Sequence, residues 1–434
     1  MICHIEAYLN GRWQVAATFE PYPATVERGV EGPCRLQYDV DYAVTNLDNP
    51  RAEIVPGLKV GFELFQFETW PAFLVDLLPS GAGRRAWLQR LQAPGDGPHL
   101  DWHMLTKGAG NPPGHLRIAE AILPPPPDQF RAGFTKLDIL EQQENFLEYA
   151  AERGAHVAGA SSVQGEAPKY LLVEDLNGMF HAEGALPDER ISKFWLVKFP
   201  RGKRSNPRNR KVLKNEAPYL EVARRFGIRT GAPLEYQNDT LFVPRFDRAV
   251  QSGRVVRHGM HSLYALANIP GFGAAVHHEI YCQALARAAT DPAAELREYL
   301  LRDILNLALR NTDNHGRNSA ILRQADKIAL SPVFDFAPMF LDPEGISRVT
   351  RWQDEVPGNQ PEWGAIAEKL RYGLDPQETR DWLSSQAEKV RTLPDIMHDC
   401  RVDDDLIERL AGWIGEVARG LDAARARTVQ GGTP

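Results

Sequence analysis

The fold of this chain is decided by the stretch Asn311–Asn318, which reads NTDNHGRN. It follows a long apolar helical pattern over Pro292–Arg310, for which Asp291 is a suitable N-cap and Pro292 a suitable first helical residue. The apolar segment Ser319–Leu322, which predicts a strand, comes directly after it. Polar residues this dense between two apolar elements indicate a functional site at the end of a buried helix.

The spacing of three residues gives this site a chemistry. Asp313 and Asn318 are five positions apart, and Asp335 follows 17 residues after Asn318, where we expect it to end a short strand over Leu330–Phe334. In phosphoryl transfer, one carboxylate accepts the proton of the attacking hydroxyl, while an amide oxygen and a second carboxylate hold magnesium against the ATP phosphates. We therefore expect Asp313 to be catalytic, with Asn318 and Asp335 as magnesium ligands. The alternative is a hydrogen-bonded loop that only closes the helix.

The upstream segments predict strands, one helix and a hairpin. Lys169–Glu174 and Lys193–Phe199 are apolar runs bounded by Gly, Pro or Asn, as strands usually are. Asn215–Gly227 has apolar residues at helical spacing and ends on a glycine. Pro233–Phe246 predicts a hairpin that turns at Gln237–Asp239. Most of the remaining chain has helical spacing.

The segment around Asp313 resembles the catalytic loop of the HipA family. Members of this family are bacterial kinases of toxin–antitoxin modules, and the kinases carry Asp-x-His-x-x-Asn at this position. Asp313, His315 and Asn318 match that motif residue by residue. Phe334 and Asp335 are similar to the family's aromatic-Asp metal motif. The resemblance implies that His315 contacts ATP, and a buried, hydrogen-bonded histidine is the alternative.

Three upstream segments match the same family in the same order. The strand that contains Lys198 resembles the one whose lysine reaches the ATP phosphates, and a lysine in an apolar strand has little other reason to be there. The resemblance implies that Glu216 orients Lys198 through an ion pair. It also implies a hinge strand over Leu241–Arg248, whose backbone binds adenine and whose carboxylate lies near the ribose. The implied ATP-binding residues of this hinge are Pro244, Arg245, Phe246 and Asp247.

The segment Gly159–Lys169 resembles the family's phosphate loop, Ser-Gly-x-Gln. Its small residues would let backbone amides approach phosphates closely. An extra Gly165–Ala167 separates the match from the lysine. A phosphate on this loop would add about −2 charge beside ATP, so we expect autophosphorylation to eject the loop and stop activity. The residues implied here are Val163, Gln164 and Lys169 for ATP, and either Ser161 or Ser162 for autophosphorylation.

The expected fold is α+β, a protein-kinase-like two-lobed fold with an additional small N-terminal subdomain of the HipA type and a mainly helical C-terminal lobe. Strand-like alternation in Ile5–Leu9 and Arg35–Val40 precedes helical spacing over Phe73–Leu91, and Phe73–Gly81 is similar to the family's Leu-Leu-Pro segment. The proline run in Leu123–Asp128 ends this unit. The predicted domains are residues 1–122 for the N-terminal subdomain, 123–250 for the strand-rich lobe with phosphate loop and hinge, and 251–434 for the helical lobe with the catalytic loop.

Composition limits the class of protein. A chain of 434 residues is long enough for two or three packed units, and its 43% apolar and 25% charged residues are ordinary for a globular protein. The net charge of −7 gives no global reason to bind nucleic acid. The sequence has no apolar run of membrane-spanning length and no signal-peptide pattern, so we expect a cytoplasmic protein without membrane contact. The four cysteines are widely spaced, which predicts buried free thiols.

The resemblance implies an ATP- and magnesium-dependent serine/threonine protein kinase that arrests growth by phosphorylating a cellular protein, often an aminoacyl-tRNA synthetase. It also implies a helix-turn-helix antitoxin as partner, with DNA reached only through that antitoxin. Two other functions stay open: a catalytically weak co-repressor that binds the antitoxin, and a kinase of small molecules. The basic cluster Arg201–Lys211, placed in a loop after the lysine strand, would then grip an acidic partner or nucleic acid, or would simply be solvated.

Overall fold

The structure is a computed structural model that describes residues 1–124, 132–142, 144–152, 168–200, 206–271, 273–353, 355 and 360–425. The N-terminal unit combines a sheet with short helices. Its strands are β1 (Cys3–Leu9), β2 (Arg12–Pro21), β3 (Cys34–Tyr38), β4 (Leu64–Phe67) and β5 (Leu116–Ile118), and its helices are α1 (Val40–Asn46), α2 (Ala72–Leu77), α3 (Gly81–Arg90) and α4 (Asp101–Gly108). The strands pair antiparallel in the order β4-β3-β2-β1-β5, and Phe19 packs edge-on against Trp70 in the core beneath them.

A second antiparallel sheet follows, and one long helix packs beside it. Its elements are α5 (Lys136–Leu140), α6 (Glu144–Glu152), β6 (Lys169–Asp175), β7 (Phe180–Ala182), β8 (Ile191–Lys198), α7 (Pro207–Arg225), β9 (Glu235–Gln237) and β10 (Thr240–Pro244). The sheet order is β7-β6-β8-β10-β9. In this register Lys169 lies directly opposite Lys198, so both side chains leave the same face of the sheet. A separate hairpin, β11 (Arg248–Gln251) and β12 (Arg254–Arg257), comes after the hinge.

The rest of the described chain is mainly helical. Its elements are β13 (Gly259–Ser262), α8 (Leu263–Leu266), β14 (Val276–His277), α9 (His278–Ala288), α10 (Pro292–Ala308), β15 (Ala320–Gln324), β16 (Lys327–Leu330), β17 (Thr350–Arg351), α11 (Trp363–Lys369), α12 (Pro376–Arg391), α13 (Leu393–Asp399) and α14 (Asp404–Asp422). Helix α10 lies at the centre of this lobe and buries Leu296, Leu300 and Ile304 in one stripe. This buried helix fixes the position of the polar loop that follows it.

Several elements agree with the sequence predictions. Helix α10 begins as expected, because the Asp291 side chain accepts a hydrogen bond from the backbone N–H of Ala294. The β9–β10 hairpin turns at Asn238 and Asp239, which have φ values of 47° and 57°, and Asn and Asp tolerate this left-handed region well. All four cysteines are buried free thiols. No helix of the described ranges is both long and apolar enough to cross a membrane.

Two predictions of local structure were wrong. Helix α7 begins at Pro207 rather than near Asn215, so the last part of the basic cluster is helical and not a loop; the Asn206 side chain caps it by accepting from the backbone N–H of Arg208 and Asn209. Asp335 does not end a strand, because β16 stops at Leu330. Pro332 follows and has no N–H to donate to a strand ladder.

Candidate active site

A cleft of about 800 Å³ lies between the second sheet and the helical lobe. Leu171, Leu196 and Val243 line it from the sheet, and Val333 and Phe334 line it from the helical lobe. Its polar lining falls into two clusters, one around Asp335 and one around Asp247. Small-molecule sites commonly combine apolar walls with a few placed polar groups. The cleft suits a ligand with a flat apolar part and a charged part.

The first polar cluster centres on Lys198, the last residue of β8. Its ammonium group lies 2.5 Å from a carboxylate oxygen of Glu216 on α7 and 2.5 Å from one of Asp335. Both Lys198 and Glu216 are buried. Burial works to lower the pKa of Lys198, but its two carboxylate partners outweigh it and raise that pKa above the usual value. The ammonium therefore stays charged and fixed between a helix of one lobe and a loop of the other.

Asp335 holds two lysines at once. One carboxylate oxygen accepts from Lys198 and the other accepts from Lys169 at 2.8 Å. Burial alone would raise the pKa of Asp335, but the charges of these lysines hold it well below its usual range. The residue also has φ of 53°, in the left-handed region that Asp adopts more readily than most residues. A carboxylate with a strongly shifted pKa at the base of a cleft is typical of a functional site.

Asp313 lies in the loop between α10 and β15. Burial raises the pKa of its carboxyl group, although the nearby His315 counteracts part of that effect. The Asn318 side-chain N–H₂ donates to the backbone carbonyl of Asp313 at 2.9 Å, and the Asn318 backbone N–H donates to the carbonyl of His315 at 2.9 Å. The side chain and the backbone N–H of Asn318 thus both form hydrogen bonds within the loop. A carboxylate with a raised pKa on a fixed loop suits proton acceptance.

His315 lies behind Asp313. Its Nδ1 accepts the backbone N–H of Arg317 at 3.2 Å, and its Nε2 lies 3.2 Å from an Asp313 oxygen. The ring stacks on Tyr264 with centroids 6.4 Å apart, and burial lowers its pKa so that it is neutral near pH 7. These contacts hold the His315 ring beside Asp313, and its predicted contact with ATP stays a prediction.

Gly316 shows why the loop needs a glycine between its functional residues. A Cβ at this position would lie 2.5 Å from the Tyr281 hydroxyl and 2.7 Å from a ring carbon of Tyr264. Real carbon contacts are longer than this, so any side chain would push the loop away from the aromatic pair. The backbone of Gly316 also accepts the N–H of Leu263 at 3.0 Å. The loop is therefore packed directly against the base of the helical lobe.

The second polar cluster lies at the hinge. Pro244, Arg245, Phe246 and Asp247 all line the cleft. The Asp247 carboxylate accepts two bonds of 2.6 Å from the Arg245 guanidinium, and Arg248 donates to it at 3.0 Å. The Arg245 charge, with that of Arg248, overcomes burial and lowers the pKa of Asp247 far below its usual value. Much of the Asp247 acceptor capacity is already used, and its predicted approach to a ribose stays a prediction.

The N-terminal unit contacts both functional segments, which the sequence did not predict. The Gly114 backbone N–H donates to Asp247 at 2.7 Å. Asp76, in α2, accepts from the backbone N–H and the hydroxyl of Ser262 at 3.0 and 2.9 Å, and lies 3.6 Å from the guanidinium of Arg317 in the catalytic loop. A carboxylate inside the apolar run Phe73–Leu78 was the signal available in the sequence, because such a residue is seldom buried without a partner.

Asn318 and Asp335 offer donors that suit magnesium. Asn318 uses its amide N–H₂ on the Asp313 carbonyl, so its side-chain oxygen is the atom left for a cation, and Asp335 is held ionised. Magnesium prefers oxygen ligands and keeps several waters, so two protein donors are enough. Within the described ranges, no cluster of three or more His, Cys, Asp or Glu side chains forms a metal site. The residues fit a magnesium ion that is shared with phosphates, rather than a metal cage made by protein alone.

Only the end of the predicted phosphate loop, Pro168 and Lys169, falls within the described residues. Lys169, the last residue of the segment, is described and contacts Asp335. The other four implied residues lie outside the described residues: Ser161, Ser162, Val163 and Gln164.

Comparisons with known proteins identify the family and the fold. The profile of the HipA-like C-terminal domain family matches residues 161–393. A solved complex of HipA, HipB and operator DNA, a toxin–antitoxin system of Shewanella oneidensis MR-1, contains a chain similar to this one over 98% of this chain and 99% of that one, with a TM-score of 0.66 and 16% identity. This likeness confirms the expected kinase-like α+β fold with its HipA-type N-terminal subdomain.

A second solved structure, the proinflammatory kinase CtkA of Helicobacter pylori, is similar over 53% of this chain and 88% of that one, with 12% identity and a TM-score of 0.33. A score this low carries no structural argument. Comparison with curated protein sequences finds no match to this chain.

Proposed function

Because the chain belongs to the HipA family, whose C-terminal domain matches more than half of its length, we propose that it is an ATP- and magnesium-dependent serine/threonine protein kinase of the HipA toxin type. One observation carries this proposal. Lys198 joins Glu216 of α7 to Asp335 at the base of the cleft, with 2.5 Å to each carboxylate. A lysine on a strand, paired with a helix glutamate and next to a metal-binding aspartate, is the arrangement that active kinases need.

Each residue has a defined part in the transfer. The acceptor hydroxyl oxygen forms a bond to the γ-phosphorus of ATP, the bond from that phosphorus to the bridging oxygen breaks, and ADP leaves with the electron pair. Asp313 accepts the hydroxyl proton, and its raised pKa favours this. Lys198 and Lys169, which both donate to Asp335 at the base of the cleft, would neutralise charge on the phosphates. Asn318 and Asp335 would hold magnesium, which supplies further neutralisation of phosphate charge when bound.

The nucleotide binds in the apolar cleft under this proposal. Adenine lies between Leu196 and Phe334, next to the hinge backbone at Pro244–Phe246, because these residues form the apolar walls. Val163 and Gln164 of the phosphate loop cover the phosphates, and autophosphorylation occurs on Ser161 or Ser162. Lys169 connects that loop to Asp335, which supports a loop position above the phosphates.

The acceptor under this proposal is a cellular protein, for which the family suggests an aminoacyl-tRNA synthetase. The partner is a helix-turn-helix antitoxin, since the similar Shewanella chain is part of a complex of HipA, HipB and operator DNA. DNA would be reached only through the antitoxin, because the net charge of −7 gives the chain itself little attraction for a polyanion.

Transfer of radiolabelled phosphate from ATP tests the proposal. The wild type should incorporate label into itself or into an added protein acceptor, and Asp313→Asn should lose at least about 10³-fold of that rate because the proton acceptor and transition-state geometry are lost. Asp326→Asn, an exposed carboxylate of the β15–β16 turn, is the matched control and should keep wild-type activity. Phosphosite mapping of the same sample decides between Ser161 and Ser162.

The same assay separates the alternatives. Label on neither protein, with no ATP turnover, would reject the kinase and favour an antitoxin-binding co-repressor. ATP turnover with small hydroxyl compounds, and no phosphoprotein, would favour a kinase of small molecules. Equal label incorporation by wild type and Asp313→Asn would remove Asp313 from its proposed part.

A further inference from the structure

The residue next to Asp313 grips a distant segment of the chain. The Asn314 side-chain oxygen accepts the backbone N–H of Val349 at 3.2 Å and of Thr350 at 3.3 Å, and its N–H₂ donates to the Thr350 carbonyl at 2.8 Å. These three bonds use most of what one amide side chain can offer. The segment Arg348–Gln353, called the anchored segment below, is therefore tied to the catalytic loop at the position after the proposed base.

A buried carboxylate holds the anchored segment from the other side. The Glu355 side chain is fully buried, with 0% exposed, and accepts from Arg348 at 2.6 Å and Arg351 at 3.2 Å. Arg348 reaches Asp303 of α10 at 3.3 Å as well. Two guanidinium groups and two carboxylates thus form one charge-balanced network. Removing one member would leave a buried charge uncompensated, which is strongly unfavourable.

Aromatic and backbone contacts complete the anchor. Trp352 donates its indole N–H to Asp303 at 2.9 Å and stacks on His278 with ring centroids 4.6 Å apart. Strand β17, inside the anchored segment, pairs in parallel with β14, which directly precedes α9. The anchored segment therefore has fixed contacts to α9, to α10 and to the catalytic loop.

This arrangement resembles, in physical terms, what a phosphate does in regulated kinases. There, phosphorylation of the segment that follows the metal-binding aspartate recruits arginine side chains and orders that segment against the catalytic loop. Here the anchored segment follows Asp335, and the carboxylate of Glu355 already recruits two arginines. A permanent carboxylate needs no modifying enzyme.

We propose that Glu355 and Asn314 are positioning residues that set the Asp313 loop through the anchored segment, so that the site is assembled without activating phosphorylation of that segment. The proposal rests on the proposed kinase function and adds the way in which its site is regulated. Glu355 holds the anchored segment in place through Arg348 and Arg351. Asn314 is hydrogen-bonded to that segment, so the segment fixes the position of the neighbouring Asp313. The only hydroxyl of the anchored segment, on Thr350, is buried, and that of the adjacent Ser347 is exposed.

Kinetics of single variants test the positioning. Glu355→Gln keeps the shape of the side chain and removes its charge, and we expect kcat to fall about 10- to 100-fold, as displacement of a catalytic group by about 1 Å does. KM for ATP should stay within about threefold, because the cleft walls are untouched. Asn314→Ala should give the same pattern, and the double variant should lose no more than the worse single one, since both act through one segment. Glu388→Gln, an exposed helix glutamate, is the matched control.

Phosphorylation is tested in the same preparation. Wild type that is active with unmodified Ser347, and Ser347→Ala with unchanged kcat, support assembly by Glu355. Loss of activity in Ser347→Ala, with phosphate on Ser347 in the active wild type, overturns the proposal. So does a Glu355→Gln enzyme with wild-type kcat, or one in which ATP affinity and kcat fall together.

Amide hydrogen exchange gives a readout that needs no activity. Asn314→Ala and Glu355→Gln should speed exchange of the Val349 and Thr350 amides and of peptides that cover residues 311–319, while peptides of the second sheet stay unchanged. If Glu355→Gln does not fold, Asn314→Ala, which removes no charge, decides the matter alone. Faster exchange in a chain without kinase activity would uphold the positioning and reject the proposed function; unchanged exchange would reject the positioning.

Discussion

The ion pair between Lys198 and Glu216 allows one prediction with a magnitude worked from the structure. Glu216→Gln keeps the size of the side chain and removes one of the two carboxylates that lie 2.5 Å from the Lys198 ammonium. Lys198 keeps Asp335, so the ammonium is not left alone. The loss is that of one charge-assisted hydrogen bond, about 1.5–3 kcal/mol. If that energy positions Lys198 in the transition state, kcat falls about 10- to 150-fold, since about 1.4 kcal/mol corresponds to tenfold.

The variant should also change the magnesium requirement. Without Glu216, Lys198 pairs with Asp335 alone, and the bond between them competes with a metal ion for the same carboxylate. We therefore expect the magnesium concentration for half-maximal activity to rise in Glu216→Gln, with part of the lost rate recovered at high magnesium. Initial rates over a magnesium titration at saturating ATP measure both effects.

The control is Glu235→Gln, which removes an exposed carboxylate from the same sheet, where it pairs with Lys136. Exposed pairs contribute about 0–1 kcal/mol, so this variant should keep its rate and its magnesium dependence. A Glu216→Gln enzyme with kcat within twofold of wild type would refute the reasoning. A loss of rate without any shift in magnesium dependence would refute the competition at Asp335 and leave the positioning of Lys198 intact.

Two further predictions concern the helical lobe. Gly316→Ala should lower the free energy of unfolding, measured in urea titrations, by about 1–3 kcal/mol, because its methyl group would lie 2.5 Å from the Tyr281 hydroxyl. The control is Gly412→Ala in α14, which has open space around it and should be neutral or stabilising. Burial lowers the pKa of His278 to about 4, so the unfolded chain takes up a proton near pH 6.5 that the folded chain refuses, and stability should fall as pH drops from about 6.5 to about 4. His278→Gln should lose about 3 kcal/mol of that pH dependence, and the exposed His103→Gln should keep it; equal pH profiles for wild type and His278→Gln would contradict this.

The secondary-structure elements that hold the candidate site residues were predictable because local sequence patterns indicate them. The cap and the apolar stripe of α10 predicted this helix, and the dense polar loop after it was the reason to expect a site there. The lysine strand and the β9–β10 hairpin follow from alternation and turn residues in the same way. Lys198, Glu216 and Asp335 lie close together in space although they are far apart in the chain. Local patterns could not predict this, and the expectation that they belong to one site came from the family resemblance.

The contacts between distant segments were not predictable from local patterns. Asn314 looks like any loop asparagine, and nothing near it in the sequence points to Thr350 as its partner. His278 had no motif around it, yet it stacks on Trp352 in a buried network. The start of α7 was missed although Asn206 and Pro207 are a good cap and first residue, because the basic residues after them suggested a solvated loop. The positive charges suggested an exposed loop, whereas the capping residues indicated the start of the helix correctly.

The contact between the N-terminal unit and the catalytic core explains why the site is a property of the whole chain. Arg248 donates to the backbone carbonyls of Pro112 and Gly114, both at 2.9 Å, while Gly114 donates to Asp247 beside it. On the other side of the cleft Asp76 accepts from Ser262 at the end of β13. Asp247 and Arg248 are buried, and these bonds to the N-terminal unit supply part of the hydrogen bonding that buried charged groups need. The N-terminal unit therefore contacts both the hinge and the region of the Asp313 loop. A change in the packing of this unit should displace residues at both ends of the cleft.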